Sequence, residues 1–399
     1  MSKPKVFEKP TGVKDYLPIA VSKLRKIESR VLECMDKWGY NQIITPTLEF
    51  YDTVGMASST SDRKLFKLLD QYGRTLVLRS DMTAPIARVA SSLLKEQSYP
   101  LRLSYHANIF RAFEAEAGRD SEFFQTGVEL IGDASSDADA EVIALAIAAL
   151  QSAGVKKFKI ALGHVGFLNG LFYDTLQGRL EAQLELKECL LNRDYVGYRQ
   201  QLQALSLDET IRLELESILR LRGGEEICAQ ARLVTKDRMA QSAIQHLCEI
   251  WDVLKAYGVS EHVVIDLTMI GDFSYYTGMT FEGYAADLGF PVCSGGRYDN
   301  LLMQFGRPAP ATGFALKTTR IMEVADKDIM QEPYRILILY DAFHRQEALD
   351  CAMEMRARDG VSVVTRCVYH ASDVDSIALQ VNGRYHYKGQ YYEDIIPFV

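Results

Sequence analysis

The sequence predicts an α+β fold, an antiparallel sheet flanked by helices, with a helical insertion and a small C-terminal α/β domain. Three observations carry this expectation. Apolar residues recur at helical spacing between Ala20 and Trp38. Two strand-like runs, 101–111 and 123–132, flank a stretch of hairpin-loop character. The chain then closes on a β-α-β pattern.

Along the chain, residues 1–18 read as an extended arm, because Pro4, Pro10, Gly12 and Pro18 interrupt any helix. The first helix places Leu24, Ile27, Val31, Leu32 and Met35 on one side and ends at Gly39. Strand-like runs follow at QIIT before Pro46, TLVLRS, LRLSYHANIFR and FFQTGVELIG. Asp137 is expected to cap a helix from Ala138 to Ala153, which Gly154 stops. KFKIALG leads into HVGFLNGLFYDTL. Residues 178–222 then turn rich in leucine and charge, marking a helical insertion at about 170–225. Strand signals return at 263–270, 275–284 and 290–296, and a helix is expected after Gly313. The acidic stretch 323–333 reads as a linker, dividing a core of residues 1–325 from a domain of residues 326–399.

Bulk properties narrow the function. With 399 residues, 48% of them hydrophobic, the chain can bury one large core and a smaller one. A net charge of −8 opposes binding to a phosphate backbone, which relies on clustered Lys and Arg. Cysteines 34, 189, 228, 248, 293, 351 and 367 form no CxxC pair and are expected to be buried small hydrophobes, without metal or disulfide. No apolar run reaches a membrane span's length, and the N-terminus lacks a signal core, so a soluble cytoplasmic protein is expected.

Polar groups set into apolar strands imply an internal network or a ligand, since a buried polar group is costly unless partnered. Alternation puts Gln125, Gly127 and Glu129 on one sheet face, with the glycine leaving room between two polar side chains. Asp81 and Thr83 share a face if LRSDMTAPIAR is extended. These carboxylates, hydroxyl and amide could receive an ammonium and an imidazole, and Arg111 a carboxylate. A free amino acid has these groups. Of Tyr275 and Tyr276, alternation turns only one toward a given face. The paired glycines of SGGRYDNLL are expected in a tight strand-to-helix turn.

In this order, KPTGVKDYLP, WGYNQIITPTLE, FRAFEAEAGRDSEFFQ, SYYTGMTFEGY with SGGRYDNLL, and TGFALKTTRI resemble the histidyl-tRNA synthetase family over roughly residues 5–325. The resemblance implies a class II aminoacyl-tRNA synthetase-like core. It places Asp81, Thr83, Arg111, Gln125, Glu129, Tyr275 and Tyr276 on the family's histidine pocket, with Asp81 standing where the synthetases usually have Glu. The ATP half departs from the family: Gly271 replaces an arginine and Glu114 reverses a charge, while Arg119 and Arg320 remain for residual nucleotide binding. Loss of one preorganised donor at an adenylation site costs about 2.7–4 kcal/mol.

Residues 335–399 contain seven Lys/Arg against nine Asp/Glu, a poor surface for an anticodon despite Tyr385, Tyr387, Tyr391 and Tyr392. The run ALGHVGFLNGLF also resembles a regulatory-subunit branch rather than the synthetases. That resemblance implies a non-catalytic subunit without cofactor, a homodimeric core in a hetero-oligomer, and no tRNA. Its implied partner is the short-form catalytic subunit (HisG) of ATP phosphoribosyltransferase, with histidine as feedback ligand. An active histidyl-tRNA synthetase or related amino-acid ligase is the alternative.

Overall fold

The computed structural model describes residues 6–58, 60–112, 120–270, 276–286, 288–326, 333–369, 378–381 and 383–399. The chain divides into two compact units, Met1–Ile329 and Met330–Val399.

In the first unit the described helices are α1 Pro18–Lys37, α2 Thr83–Ser91, α3 Ser136–Ser152, α4 Val165–Thr175, α5 Leu180–Leu191, α6 Tyr195–Ala204, α7 Glu209–Ser217, α8 Glu226–Val234, α9 Arg238–Ala256 and α10 Thr318–Val324. Its described strands are β1 Asn41–Gln42, β2 Leu48–Phe50, β3 Lys67–Leu69, β4 Thr75–Leu78, β5 Leu101–Phe110, β6 Glu122–Ile131, β7 Phe158–His164, β8 Arg222–Gly223, β9 Val263–Asp266, β10 Met279–Ala285, β11 Cys293–Arg297 and β12 Ala311–Lys317.

Among the described residues, nine strands form one sheet in the order β1-β5-β6-β12-β11-β10-β7-β9-β8. The joins from β5 to β7 are antiparallel, and only the outlying β1–β5 and β7–β9 pairs are parallel. β2, β4 and β3 make a separate small antiparallel sheet.

α1 buries Leu24, Ile27, Val31 and Met35 along one stripe, as its spacing requires, and leaves Leu32 half-buried. α3 is buried on nearly every side, which its alanines permit. Its cap is Ser135, whose hydroxyl accepts from the Ala138 amide at 3.2 Å; Asp137 lies in the first turn instead of capping. Leu101, Leu103, Tyr105, Ala107 and Ile109 of β5 pack with Met82, Ala84, Ile86 and Ala87 around α2, so α2 covers that face of the sheet.

Several strand expectations are corrected. Thr83 opens α2 and is not extended, and Asp81 accepts from the Ala84 amide at 3.0 Å. Gly295 and Gly296 lie inside β11, not in a turn, and Gly313 lies within β12, with α10 starting at Thr318. Gly127 leaves no empty space. Tyr105 stands opposite it on β5, and a methyl group at 127 would overlap the Tyr105 hydroxyl and the Phe314 carbonyl. Gly127→Ala should therefore lower stability by about 1–3 kcal/mol through overpacking, measured by urea unfolding. An unchanged midpoint would contradict this geometry.

The second unit contains β13 Tyr334–Tyr340, α11 Arg345–Arg356, β14 Val361–Cys367, β15 Ala378–Val381, β16 Arg384–Tyr387, β17 Gln390–Tyr392 and β18 Asp394–Phe398. β13 pairs in parallel with β14 and β18, and α11 packs Ala348 and Ala352 against Ile336 and Ile338. Alternate residues of β13, Leu337 and Leu339, meet Tyr387 and Tyr392 in a separate cluster. Two of the four tyrosines considered for base stacking are thus core residues.

No described helix is long and apolar enough to cross a membrane. All seven cysteines are free, but only Cys293 is buried; the other six are half-exposed, contrary to expectation.

Candidate functional site

Cross-strand pairing builds the floor of the site. Glu129 on β6 stands opposite Gly313 on β12, which stands opposite Gly296 on β11. Opposite residues share a sheet face, so Glu129 rises at one side of a floor two glycines wide. At the other side stands Tyr276, whose ring lies against the position a side chain at 296 would occupy. A side chain at 313 would collide with the Glu129 carboxylate. The glycines are required by close approach of these two walls.

Glu129 is 2% exposed and held at both oxygens. Thr83 donates to Oε1 at 2.8 Å, and the Tyr298 hydroxyl donates to Oε2. Burial pushes its pKa up to about 8, with the nearby Asp81 charge adding to the rise and the two hydroxyl donors opposing it. A buried carboxyl whose pKa is raised this far can take a proton or a cationic partner.

Asp81, also buried, receives the Ser58 hydroxyl at Oδ2, and Ser58 lies 2.8 Å from the Ser80 hydroxyl. Arg111 donates from Nε to the Ser80 carbonyl at 2.8 Å, and its guanidinium lies 5.7 Å from the Phe123 ring centroid. Gln125 is buried on the same strand face as Glu129, in register with Lys317 of β12.

The fold therefore gathers two hydrogen-bonded runs, Glu129 with Thr83 and Tyr298, and Asp81 with Arg111 through Ser58 and Ser80, with Gln125 and Tyr276 at their margins. Tyr275, Arg119, Glu114 and Gly271 lie outside the described residues. Tyr298, Ser58, Ser80 and Tyr105 were missed in the sequence. Tyr298 had a signal: a tyrosine in a run of small and polar residues needs a partner for its hydroxyl once buried.

Beside this pocket opens a cavity of about 580 Å³, whose wall includes Arg111, Lys317, Arg320, Lys14, Lys64 and Arg193. Asp120, Asp266, Glu282 and Glu323 also face it. Arg320 donates to the Pro291 carbonyl at 2.9 Å and lies 5.1 Å from the Phe290 ring centroid. Lys14 pairs with Asp120 at 2.9 Å, and Arg193 meets Glu282 at 3.5 Å and the Tyr284 hydroxyl. This compartment gathers six cations and four carboxylates.

Comparison with known proteins gives the family. Residues 12–321 match the family model described as histidyl-tRNA synthetase. An ATP phosphoribosyltransferase regulatory subunit of Halalkalibacterium halodurans is 45% identical over 379 residues, 95% of each chain. One from Bacillus licheniformis is 46% identical over 372 residues, 93% of this chain and 94% of that one. A crystal structure described as an ATP phosphoribosyltransferase regulatory subunit/histidyl-tRNA synthetase from Bacillus halodurans superposes with a TM-score of 0.88 at 42% identity, covering 99% of both chains. With a class II core, a covered pocket of this design and relatives this close along almost its whole length, the chain belongs to the ATP phosphoribosyltransferase regulatory subunits, a family with the fold of histidyl-tRNA synthetases.

Proposed function

We propose that the chain is a non-catalytic subunit that binds free histidine beside Glu129 and passes that signal to a short-form ATP phosphoribosyltransferase catalytic subunit. The partner would require it for activity, in the first step of histidine biosynthesis, in the cytoplasm. The observation that carries the reading is the Glu129 pocket. A titratable carboxyl, hydroxyls from Thr83 and Tyr298, and a two-glycine floor facing Tyr276 suit a small, flat, cationic ligand. Asp81 and Arg111 supply opposite charges for the ligand's ammonium and carboxylate. No chemistry and no tRNA are involved in this role.

Exposed Leu48, Phe50, Leu68 and Leu69 on the small sheet of β2, β4 and β3 support a homodimeric core inside a hetero-oligomer. Feedback requires histidine to bind one state of the complex better than another, by about 1–3 kcal/mol for ordinary coupling.

Reconstitution tests the reading. Formation of phosphoribosyl-ATP by the catalytic subunit should depend on added chain, and histidine should inhibit the complex. Equal activity without the chain would end the subunit assignment.

A second reading is favoured by the cation-lined cavity: residual nucleotide binding at Arg320 and its neighbours, or an active ligase. ATP–pyrophosphate exchange with histidine separates the two, since clear turnover would overturn the non-catalytic role.

A further inference from the structure

His164 ends β7 and caps α4: its Nδ1 accepts the Gly166 amide at 3.0 Å. A backbone N–H can only donate, so Nδ1 is bare and the ring proton sits on Nε2. That Nε2 lies 3.2 Å from Nδ1 of His246 on α9, which must therefore accept. The remaining His246 hydrogen is then on Nε2, which lies 3.3 Å from Oδ2 of Asp139. Asp139, on α3, is fully buried and also takes Nε of Arg297 at 2.9 Å. One tautomer thus fixes the next, from the Gly166 amide to the carboxylate.

Both ends of this chain grip one segment. The Val165 amide donates to the Gly278 carbonyl at 3.1 Å, and the Thr277 amide donates to the Arg297 carbonyl at 2.8 Å. Tyr276, which walls the histidine pocket, begins that segment. His246 is partly exposed to a cavity of about 680 Å³ that Tyr276 and Thr277 also line.

We infer that His164, His246, Asp139 and Arg297 are positioning residues for the histidine pocket, a polar ring that fixes Tyr276–Gly278. The inference rests on the histidine-binding reading above. The alternative His246 tautomer, with its hydrogen on Nδ1, would face the His164 Nε2–H, donor against donor. His164 cannot relieve the conflict, because its other nitrogen already receives an amide, and burial holds its pKa far down, at about 3. The charged and titratable groups facing His246 are His164 from β7, Asp139 from α3, Arg297 of β11 behind Asp139, and Glu249 of its own helix at the cavity wall. Arg232 of α8 is turned to Gln245 and Cys248.

Histidine affinity of the full-length chain, measured by calorimetry, tests this with two substitutions. In His246→Gln the amide oxygen accepts and the amide N–H donates, as the neutral ring does, and the side chain takes no proton. It should match the wild type. His246→Phe should bind about tenfold more weakly, with unchanged circular dichroism. A His246→Gln chain that binds as weakly as His246→Phe, or wild-type affinity in His246→Phe, overturns the ring while leaving the histidine reading intact. A wild-type chain that binds no histidine removes both. If His246→Phe does not fold, imidazole ¹⁵N shifts of the wild type decide. A His164 protonated only at Nε2 supports the ring; one protonated at Nδ1 overturns it.

Discussion

Glu129→Gln should fold and yet bind free histidine about 10- to 100-fold more weakly, because it replaces a group that can carry charge opposite a cation with one that cannot. Calorimetry on the isolated chain measures this directly. The same substitution should flatten two pH dependences. Burial raises the Glu129 pKa from 4.5 to about 8. A carboxyl so raised holds its proton in the folded chain where the unfolded chain has already ionised. Its contribution to stability is therefore intact below about pH 4.5 and lost as pH rises to about 8, by about 3–5 kcal/mol if the shift is fully expressed. Wild type should lose unfolding free energy over that window, and Glu129→Gln should lose less. Histidine binding should tighten as pH rises toward 8, since a cation displaces the proton. A variant with wild-type affinity would place histidine elsewhere.

Arg297→Ala should cost about 3–5 kcal/mol in unfolding free energy, the usual penalty for leaving one member of a buried ion pair alone. Asp139 is fully buried, and Arg297 also donates to the Asp133 and Ser135 carbonyls and to Asp299. The guanidinium spans these acceptors because its donors form a rigid fork. Lysine keeps the charge but not the span, so Arg297→Lys should fall between the two in urea unfolding. A loss under about 1 kcal/mol for the alanine variant would show that water reaches Asp139 freely.

Much of this site was legible in the sequence, for identifiable reasons. Period-two alternation located Gln125, Gly127 and Glu129 because β6 is long and regular, ten residues without a bulge. The same rule failed at Thr83, where an Asp-Met-Thr turn starts a helix and Asp81 spends an oxygen on the Ala84 amide. It failed again at Gly295 and Gly296, where a glycine pair that reads as a turn is a strand stripped of side chains so that the Phe281 and Tyr276 rings fit. Partners supplied by distant segments, such as Tyr298 for Glu129 or His246 for His164, have no local signature. Composition was also a poor guide to the cavity: net charge says nothing about six cations gathered on one wall.

The pairing of β6 with β12 has a further consequence, in the order in which the chain is made. Glu129 and Tyr298 are 169 positions apart, while Thr83 and Glu129 are separated by only 46. A nascent chain therefore exposes its carboxyls and α2 well before the strand and the tyrosine that close over them have been synthesised. Joining such distant segments is slow, and the half-built sheet offers unpaired edges meanwhile. A ligand that needs Gly313 beneath it and Tyr298 beside Glu129 can engage only the completed sheet. Binding would thus pull folding toward completion by mass action, making the pool of free histidine a stabiliser of newly made chains.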